Sequence, residues 1–132
     1  MKLTIIRLQH FSDQDRLDLA KIWPAADLKA LENALGEQQQ IWAAKFNDRL
    51  LAAVQVTIKG TQGELRDFIV REVTRRRGVG SYLLAELLAQ SSAITQWWLA
   101  DDNVEDRATM AAFMQHGGFM AQVGGWGLAR SE

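Results

Sequence analysis

The 132-residue chain contains no cysteine and only one proline. Without cysteine, disulfide bonds, thiolate metal sites and cysteine nucleophiles are all excluded. The missing cysteines fit a cytoplasmic protein, which is the location we expect. An excess of charge of one sign is also missing, because 15 Lys and Arg oppose 16 Asp and Glu and leave a formal net charge of −1. Such a chain has no overall basic field, so we expect no nucleic acid among its partners.

Long hydrophobic runs are absent as well. A membrane-spanning helix needs about 18 apolar residues in succession, and no stretch approaches that length. The N-terminal MKLTIIRLQH has an apolar stretch that is too short and too interrupted for a signal-peptide core. We therefore expect a soluble, untargeted protein with no membrane partner. Its 48% hydrophobic content is enough to bury the core of one domain over residues 1–132.

The first half of the chain predicts two helices between strands. LTIIRL is a β-branched, apolar strand, and Ser12 is the predicted N-cap of a first helix that Pro24 ends. ADLKALENAL is a second helix, for which Gly36 suits a left-handed C-terminal position. Three strands follow, with Asn47-Asp48 as the tight turn of the first hairpin. They are QIWAAKF, RLLAAVQVTIK and ELRDFIVREV.

From Gly78 the apolar residues recur at helical spacing, which predicts a third helix. A strand, a fourth helix and a last strand complete the chain. These are AITQWWLA, VEDRATMAAFMQH and FMAQVGGWGLA, the last with an expected bulge at Gly124-Gly125. A run of antiparallel hairpins leading into a strand–helix–strand unit indicates a mixed sheet. The predicted fold class is therefore α/β (α+β), a mixed and mostly antiparallel sheet flanked by helices.

The stretch TRRRGVGS lies between a predicted strand and an amphipathic helix and is a candidate phosphate site. Unpaired N–H groups and the positive end of the helix would both point at one anion. Gly78 and Gly80 would let the ligand approach the backbone and would permit positive φ. The arginines would add charge-assisted hydrogen bonds at its mouth. The alternative on these residues alone is a turn with a solvated arginine face.

Two better-known phosphate loops do not fit this stretch. A P-loop needs Lys and then Ser or Thr after its second glycine, whereas Ser81-Tyr82 follows Gly80. The dinucleotide fingerprint needs a third Gly or Ala, and that position holds Leu83. Both loops are excluded.

The pattern Arg75-x-x-Gly78-x-Gly80, between a strand and a helix, resembles the acyl-CoA pyrophosphate loop of the GCN5-related N-acetyltransferase (GNAT) superfamily. The resemblance implies the GNAT fold, whose mixed sheet is splayed at the acyl-CoA site beside this loop. It implies acetyl-CoA or CoA as the cofactor, with the loop amides on the pyrophosphate and the preceding strand paired with pantetheine. The implied cofactor-binding residues are Phe68, Ile69 and Val70 on the strand and Thr74, Arg75, Arg76, Arg77, Gly78, Val79, Gly80 and Ser81 on the loop.

Residues for acetyl transfer are harder to identify. Transfer to an amine needs a base, and often an acid near the thioester sulfur. In many members of the superfamily that acid is a tyrosine four residues before a Gly-Phe pair, but here Met114 stands four residues before Gly118-Phe119. The only tyrosine, Tyr82, is expected to pack on the loop helix, and Glu72 is better explained as a carboxylate paired with arginine. We assign no catalytic residue.

The acidic stretch around residues 101–106 could suggest a metal site. The same residues are explained by the start of the next helix. Asp102 or Asn103 would be its N-cap, and Glu105 and Asp106 would lie in its first turn. We therefore predict no metal.

Six stretches, which cover nearly the whole chain except around residues 25–40, resemble a narrower family within the superfamily. This is the PanM/PanZ family, the maturation and regulatory factors of aspartate 1-decarboxylase (PanD). The stretches are MKLTIIRL, FSDQDRLDLAKIWP, KFNDRLLAAVQVT, REVTRRRGVGSYLL, VEDRATMAAFMQ and GGW.

The resemblance implies a regulator that binds acetyl-CoA or CoA and docks on aspartate 1-decarboxylase. It would promote self-cleavage of the precursor to the pyruvoyl form and could inhibit the mature enzyme, so that CoA controls β-alanine and pantothenate synthesis. Asn47 matches the position with which the family contacts the decarboxylase, and Lys45 lies beside it. Without the resemblance, the preferred interpretation of Asn47 is only a hairpin turn residue. The alternative function is an active N-acetyltransferase on a small amine or a protein. With either function, we expect the free protein to be a monomer.

Overall fold

The computed structural model describes residues 3–71, 78–102, 104 and 106–130. Within them a seven-stranded sheet has the order β1-β2-β3-β4-β5-β7-β6. Neighbouring strands are antiparallel except β4 and β5, which are parallel. The strands are β1 Thr4–Leu8, β2 Gln39–Phe46, β3 Arg49–Lys59, β4 Gln62–Val70, β5 Gln96–Ala100, β6 Met120–Gln122 and β7 Gly125–Ala129. The helices of the described residues are α1 Asp13–Ile22, α2 Leu28–Ala34, α3 Val79–Gln90 and α4 Arg107–His116.

This architecture confirms the predicted mixed, mostly antiparallel sheet with flanking helices. One face of the sheet packs against α3 and α4 through Val54, Leu65, Leu83 and Met114. The opposite face packs Ile41 and Leu50 against Leu19 and Ile22 of α1. Apolar residues therefore alternate between two cores on the two sides of the sheet. In the part of the chain described, no helix combines the length and the apolar character needed to cross a membrane.

Helix α1 begins where the sequence predicts. The Ser12 hydroxyl accepts a hydrogen bond from the Asp15 N–H at 3.0 Å, and the Asp15 carboxylate accepts one from the Ser12 N–H at 3.1 Å. This reciprocal pair is a capping box. Leu17 of this helix is 61% exposed, whereas Asp18 is completely buried. The inward face of α1 therefore carries a charged residue.

The end of α2 differs from the prediction. Asp27 caps its start by accepting a hydrogen bond from the Ala30 N–H at 3.1 Å. At its other end Leu35 has extended backbone, with φ −62° and ψ 137°. Gly36 is not among the glycines with positive φ. The predicted left-handed terminus is wrong, because Leu35 has already turned the chain out of the helix.

The hairpin between β2 and β3 turns at Asn47-Asp48 as predicted. The two residues have φ values of 51° and 63°. A two-residue turn with positive φ at both positions matches the right-handed twist of the strands, and Asn and Asp tolerate it better than most residues. The tip of this hairpin is exposed.

The C-terminal segment forms a hairpin, not the predicted single bulged strand. β6 and β7 pair antiparallel from Met120 opposite Gly127 to Gln122 opposite Gly125. Gly124 has φ 85°, which permits the tight turn between them. Trp126, on β7, has no exposed surface and belongs to the core.

Helix α4 also starts later than predicted. Asp106 is its N-cap and accepts a hydrogen bond from the Thr109 N–H at 3.0 Å. The predicted cap at Asp102 or Asn103 is wrong, although Asn103 itself lies outside the described residues. The acidic stretch still serves the helix start, because its last residue supplies the capping oxygen.

Candidate functional site

Strands β4 and β5 are paired over only part of their length. The parallel ladder runs from Gln62 opposite Gln96 to Leu65 opposite Leu99. Just beyond it, Asp67 has φ 52°, and the pairing of β4 with β3 changes register there. An irregularity of this kind bends a strand. It separates the last residues of β4 from β5.

A cleft of about 920 Å³ lies where the two strands part. Its volume is within the range of small-molecule and cofactor sites. The cleft brings together seven residues that the sequence assigned to the cofactor: Phe68, Ile69, Val70, Gly78, Val79, Gly80 and Ser81. Thr74, Arg75, Arg76 and Arg77, and also Glu72, lie outside the described residues.

The start of α3 forms one end of this cleft. Gly78 is its N-cap, with φ 76° and ψ 7°. Because glycine has no side chain, the N-cap residue supplies no capping oxygen to the N–H groups of the first turn. Backbone N–H groups in the first turn of a helix have no partner within the helix, and the helix dipole is positive there. This end of the cleft therefore suits an anion such as a phosphate.

The two glycines of the loop have different roles. A Cβ added to Gly78 would meet nothing within 4 Å, so its positive φ is what requires glycine. A Cβ on Gly80 would lie 2.9 Å from Val70 Cγ2 and 3.4 Å from Phe113 Cε1. Gly80 therefore lets α3 pack closely against β4 and α4, in addition to the ligand approach predicted from the sequence. Phe113 in turn meets Phe68 edge to face, with ring centroids 5.2 Å apart.

Sequence reasoning missed the other parts of the cleft. The connection between α1 and α2 lines it, held to β4 by a 2.8 Å hydrogen bond from Trp23 Nε1 to the carbonyl oxygen of Asp67. In the sequence, Pro24 predicted the end of the first helix but gave no information about which strand this connection packs against. Other lining residues that were not predicted are Ile22, Ala25, Ala26, Gln55, Arg66, Leu99, Ala100, Asp102, Val104, Asp106, Thr109, Met110 and Phe113.

In the described part of the chain, three carboxylates line the cleft: those of Asp67, Asp102 and Asp106. Hydrogen bonds from the N–H and then the hydroxyl of Thr109 lower the pKa of Asp106, which stays ionised and is engaged in helix capping. Among the residues that the structure describes, no group of three or more His, Cys, Asp or Glu side chains could hold a metal ion.

The position of the superfamily's tyrosine acid is structural here. Met114 has no exposed surface and packs in the core under α3. Tyr82 lies on α3 and is 43% exposed. A thioether has no proton to donate, so Met114 cannot protonate a leaving thiolate.

The predicted partner contacts lie on the β2–β3 hairpin. Asn47 is exposed at its tip, and Lys45 Nζ lies 3.9 Å from Asp15 Oδ1 of α1. The turn end of the hairpin is close to the end of β4, because the Arg71 N–H donates a 2.8 Å hydrogen bond to the carbonyl oxygen of Leu51. The next six residues, 72–77, connect β4 to the start of α3. The hairpin thus lies beside the end of β4, the strand that lines the cleft.

Known proteins resemble this chain over almost its whole length. Residues 2–127 match the family model described as the PanZ acetyltransferase (GNAT) domain. The chain is 59% identical over 126 residues to the PanD regulatory factor of Escherichia coli K12, covering 96% of this chain and 98% of that protein. It is 56% identical over 126 residues to the PanD regulatory factor of Salmonella typhimurium LT2, with the same coverage of 96% and 98%. Its structure is similar to that of Escherichia coli YhhK bound to coenzyme A, with a TM-score of 0.88 and 56% identity, covering 98% of this chain and 99% of that one.

Proposed function

Because the chain belongs to the PanZ family of GNAT domains, we propose that it is a regulator of aspartate 1-decarboxylase that binds acetyl-CoA or CoA. Family membership confirms the resemblance found in the six sequence stretches, and the likeness to YhhK confirms the GNAT fold. The main support for the proposal is the cleft between β4 and α3. It lies in a chain that is 56% identical to a protein whose structure holds coenzyme A.

In this proposal the cofactor lies along the cleft with its pyrophosphate at the start of α3. The amides from Gly78 to Ser81 donate to the phosphate oxygens, where the positive helix end adds to the attraction. The pantetheine arm pairs with the backbone of β4 from Phe68 to Val70, the stretch that has parted from β5. We propose that Thr74, Arg75, Arg76 and Arg77 complete the phosphate site.

The decarboxylase is the proposed partner of the β2–β3 hairpin. Asn47 is exposed at the tip, and Lys45 lies on the strand leading to it. We propose that docking here promotes self-cleavage of the decarboxylase precursor and inhibits the mature enzyme. Loaded with acetyl-CoA or CoA, the protein would then link CoA supply to β-alanine and pantothenate synthesis.

A regulatory role agrees with the chemistry of the cleft. Met114 occupies the position of the superfamily's acid and is buried. One observation favours a second function, N-acetyl transfer to a small amine or a protein: the carboxylates of Asp67, Asp102 and Asp106 line the cleft and could bind a cationic acceptor. Release of free thiol from acetyl-CoA when an amine is added distinguishes transfer from regulation.

The phosphate placement is tested by calorimetric titration with 4′-phosphopantetheine and, as the matched control, with pantetheine, which differs from it only in lacking the phosphate. We expect 4′-phosphopantetheine to bind more tightly, because only this ligand has a group for the α3 amides. Equal affinity for the two ligands would contradict the placement.

We further propose that residues 1–132 act as a single domain, that the free protein is monomeric and that it works in the cytoplasm. The monomer is supported by the described surface, on which the exposed large apolar side chains are Leu17, Tyr82, Met120 and Val123. Four such residues distributed over α1, α3 and the β6 hairpin do not form one broad apolar face.

A further inference from the structure

Strand β4 contains a β-bulge at the point where it leaves β5. Its pairing with β3 shifts there, so that one residue of β3 lies opposite two of β4, Asp67 and Phe68. Asp67 has φ 52°, a left-handed conformation that is strained in residues other than glycine. A bulge also leaves its extra residue unpaired in the ladder. Asp67 therefore needs an interaction from elsewhere to keep this conformation.

The bulge determines which side chains of β4 face the cleft. Leu65 and Phe68 are three positions apart, and both belong to the core on the α3 side of the sheet. In a regular strand, residues three positions apart point to opposite faces. Ile69 accordingly packs against the core on the α1 side. Without the extra residue the faces would be exchanged, and Phe68 and Val70 would turn away from α3.

The indole of Trp23 supplies the interaction that Asp67 needs. Its Nε1 donates a 2.8 Å hydrogen bond to the carbonyl oxygen of Asp67. The indole is 6% exposed, and the Trp23 backbone is bonded to the Leu19 carbonyl at 2.7 Å and to the Ala26 N–H at 3.1 Å. The end of α1 therefore fixes the position of the donor. The bond from Gln55 to the Asp67 carboxylate, at 3.4 Å, is longer and exposed.

We propose that Trp23 is a positioning residue that holds β4 in its bulged form and so keeps the cleft open for CoA. The inference rests on the proposed function, in which CoA binds along this cleft. A backbone carbonyl that loses its donor favours a conformation in which it is paired again. For β4 that conformation is a regular strand, whose ladder with β5 continues beyond Leu65 and Leu99 and narrows the cleft.

Trp23 acts on the ligand through the population of the bulged form. A ligand that binds only this form loses apparent affinity in proportion to the fraction of molecules that leave it. By linkage, bound CoA in turn stabilises the bond between Trp23 and Asp67. A direct contact of the indole with the ligand would act differently, because its loss would leave β4 of the free protein unchanged.

The test is Trp23→Phe, which keeps an aromatic ring in the core and removes the N–H donor. We expect the Kd for CoA to rise about fivefold or more, the effect of one lost hydrogen bond. In the free variant, the Cα chemical shift of Asp67 should move from its left-handed value towards that of a strand. Calorimetry and NMR spectroscopy measure the two quantities.

Trp42→Phe is the matched control. Trp42 is also 6% exposed, and its Nε1 donates a 2.8 Å hydrogen bond to Gln40 Oε1. Trp42 lies on β2 and does not line the cleft. The control thus loses the same kind of bond at another place in the core. We expect its Kd for CoA to stay within about twofold of the wild-type value, since the bulge keeps its donor.

Wild-type affinity in Trp23→Phe overturns the positioning role, and so does an equal loss of affinity in the control. A loss of affinity with an unmoved Asp67 signal also overturns it, because Trp23 would then act by direct contact. A wild type that binds no CoA overturns the proposed function, whereas the Asp67 signal still tests the bulge separately.

If Trp23→Phe does not fold, indole N–H exchange in the wild type decides. CoA should slow exchange at Trp23 at least about threefold more than at Trp42, because the bound form requires only the first of these bonds at the cleft. Equal slowing at the two indoles overturns the proposal.

Discussion

At the scale of the residue, the buried carboxylate of Asp18 matters for the stability of the fold. Burial alone would raise the pKa of Asp18, but the hydrogen bonds from Arg49 and the Leu50 N–H, with the positive charge of Arg49, outweigh it and lower the pKa. A carboxyl whose pKa is lower in the folded chain stabilises that chain when ionised. This stabilisation is fully present above the unfolded value of about 3.9 and is lost as the pH falls through the folded value.

We expect Asp18→Asn to lower the free energy of unfolding at pH 7 by about 1–3 kcal/mol, because Arg49 loses its charged partner. As the pH falls below about 4, the wild type should lose stability more steeply than the variant, since the variant has no carboxyl to protonate at this position. Urea unfolding at pH 7, 5, 4 and 3 measures both effects. Equal pH slopes for the two proteins would contradict this role of Asp18. Glu32 and Asp106 also have lowered pKa values, so some acid sensitivity remains in the variant.

Replacement of Asn47 by glycine tests its partner contact separately from its role in the turn, because glycine keeps the positive φ and removes only the side chain. We expect Asn47→Gly to change the free energy of unfolding by less than about 0.5 kcal/mol. Its affinity for aspartate 1-decarboxylase should nevertheless fall at least about tenfold, the loss of about 1.4 kcal/mol. Chemical denaturation and calorimetry measure the two quantities. Unchanged affinity would mean that Asn47 is only a turn residue.

At the scale of the element, the site depends on how closely α3 approaches β4. The first turn of α3 fits against Val70 and Phe113 because Gly80 has no Cβ. The same turn carries the N–H groups proposed to bind pyrophosphate. Packing and ligand binding are therefore determined by the same few residues.

Gly80→Ala should move α3 away from β4 and weaken CoA binding, with a stability cost of about 1–3 kcal/mol from overpacking. The matched control is Gly36→Ala, because Gly36 has nothing within 4 Å of an added Cβ and no positive φ. We expect the control to bind CoA like the wild type. CoA titration and thermal unfolding of both variants test this, and a Gly80→Ala protein with wild-type affinity would be inconsistent with the packing role.

The elements whose signals are local were predictable from the sequence. Ser12 caps α1, Asn47-Asp48 turns the hairpin and Gly78 starts α3, each through bonds or φ values set by neighbouring residues. The cleft required contacts between distant residues, such as Trp23 with the carbonyl of Asp67, 44 positions away. The bend of β4 at Asp67 and the burial of Asp18 likewise depend on tertiary packing, which no periodicity in the sequence encodes.

At the scale of the whole molecule, the proposed function makes the protein a sensor with two adjacent sites. The turn end of the β2–β3 hairpin lies beside the end of β4, which lines the cleft, because the Arg71 N–H is bonded to the Leu51 carbonyl of β3. A ligand that orders this region can favour a partner that touches it, with equal effect in the reverse direction. A sensor of this kind needs no catalytic acid or base.

We expect the free protein to be monomeric, because the exposed apolar side chains of the described surface do not form one broad face. Sedimentation velocity over a hundredfold range of concentration should give one constant coefficient near that of a 14.8 kDa particle. A coefficient that rises to the value of a stable dimer would overturn this expectation.

The most direct test of the regulatory function is calorimetric titration of purified aspartate 1-decarboxylase with this protein, with and without acetyl-CoA, while precursor cleavage is followed on a gel. We predict binding that is tighter with acetyl-CoA, together with faster cleavage of the precursor. No binding in either condition, with cleavage unchanged, would contradict the account and would point to acetyl transfer on an amine.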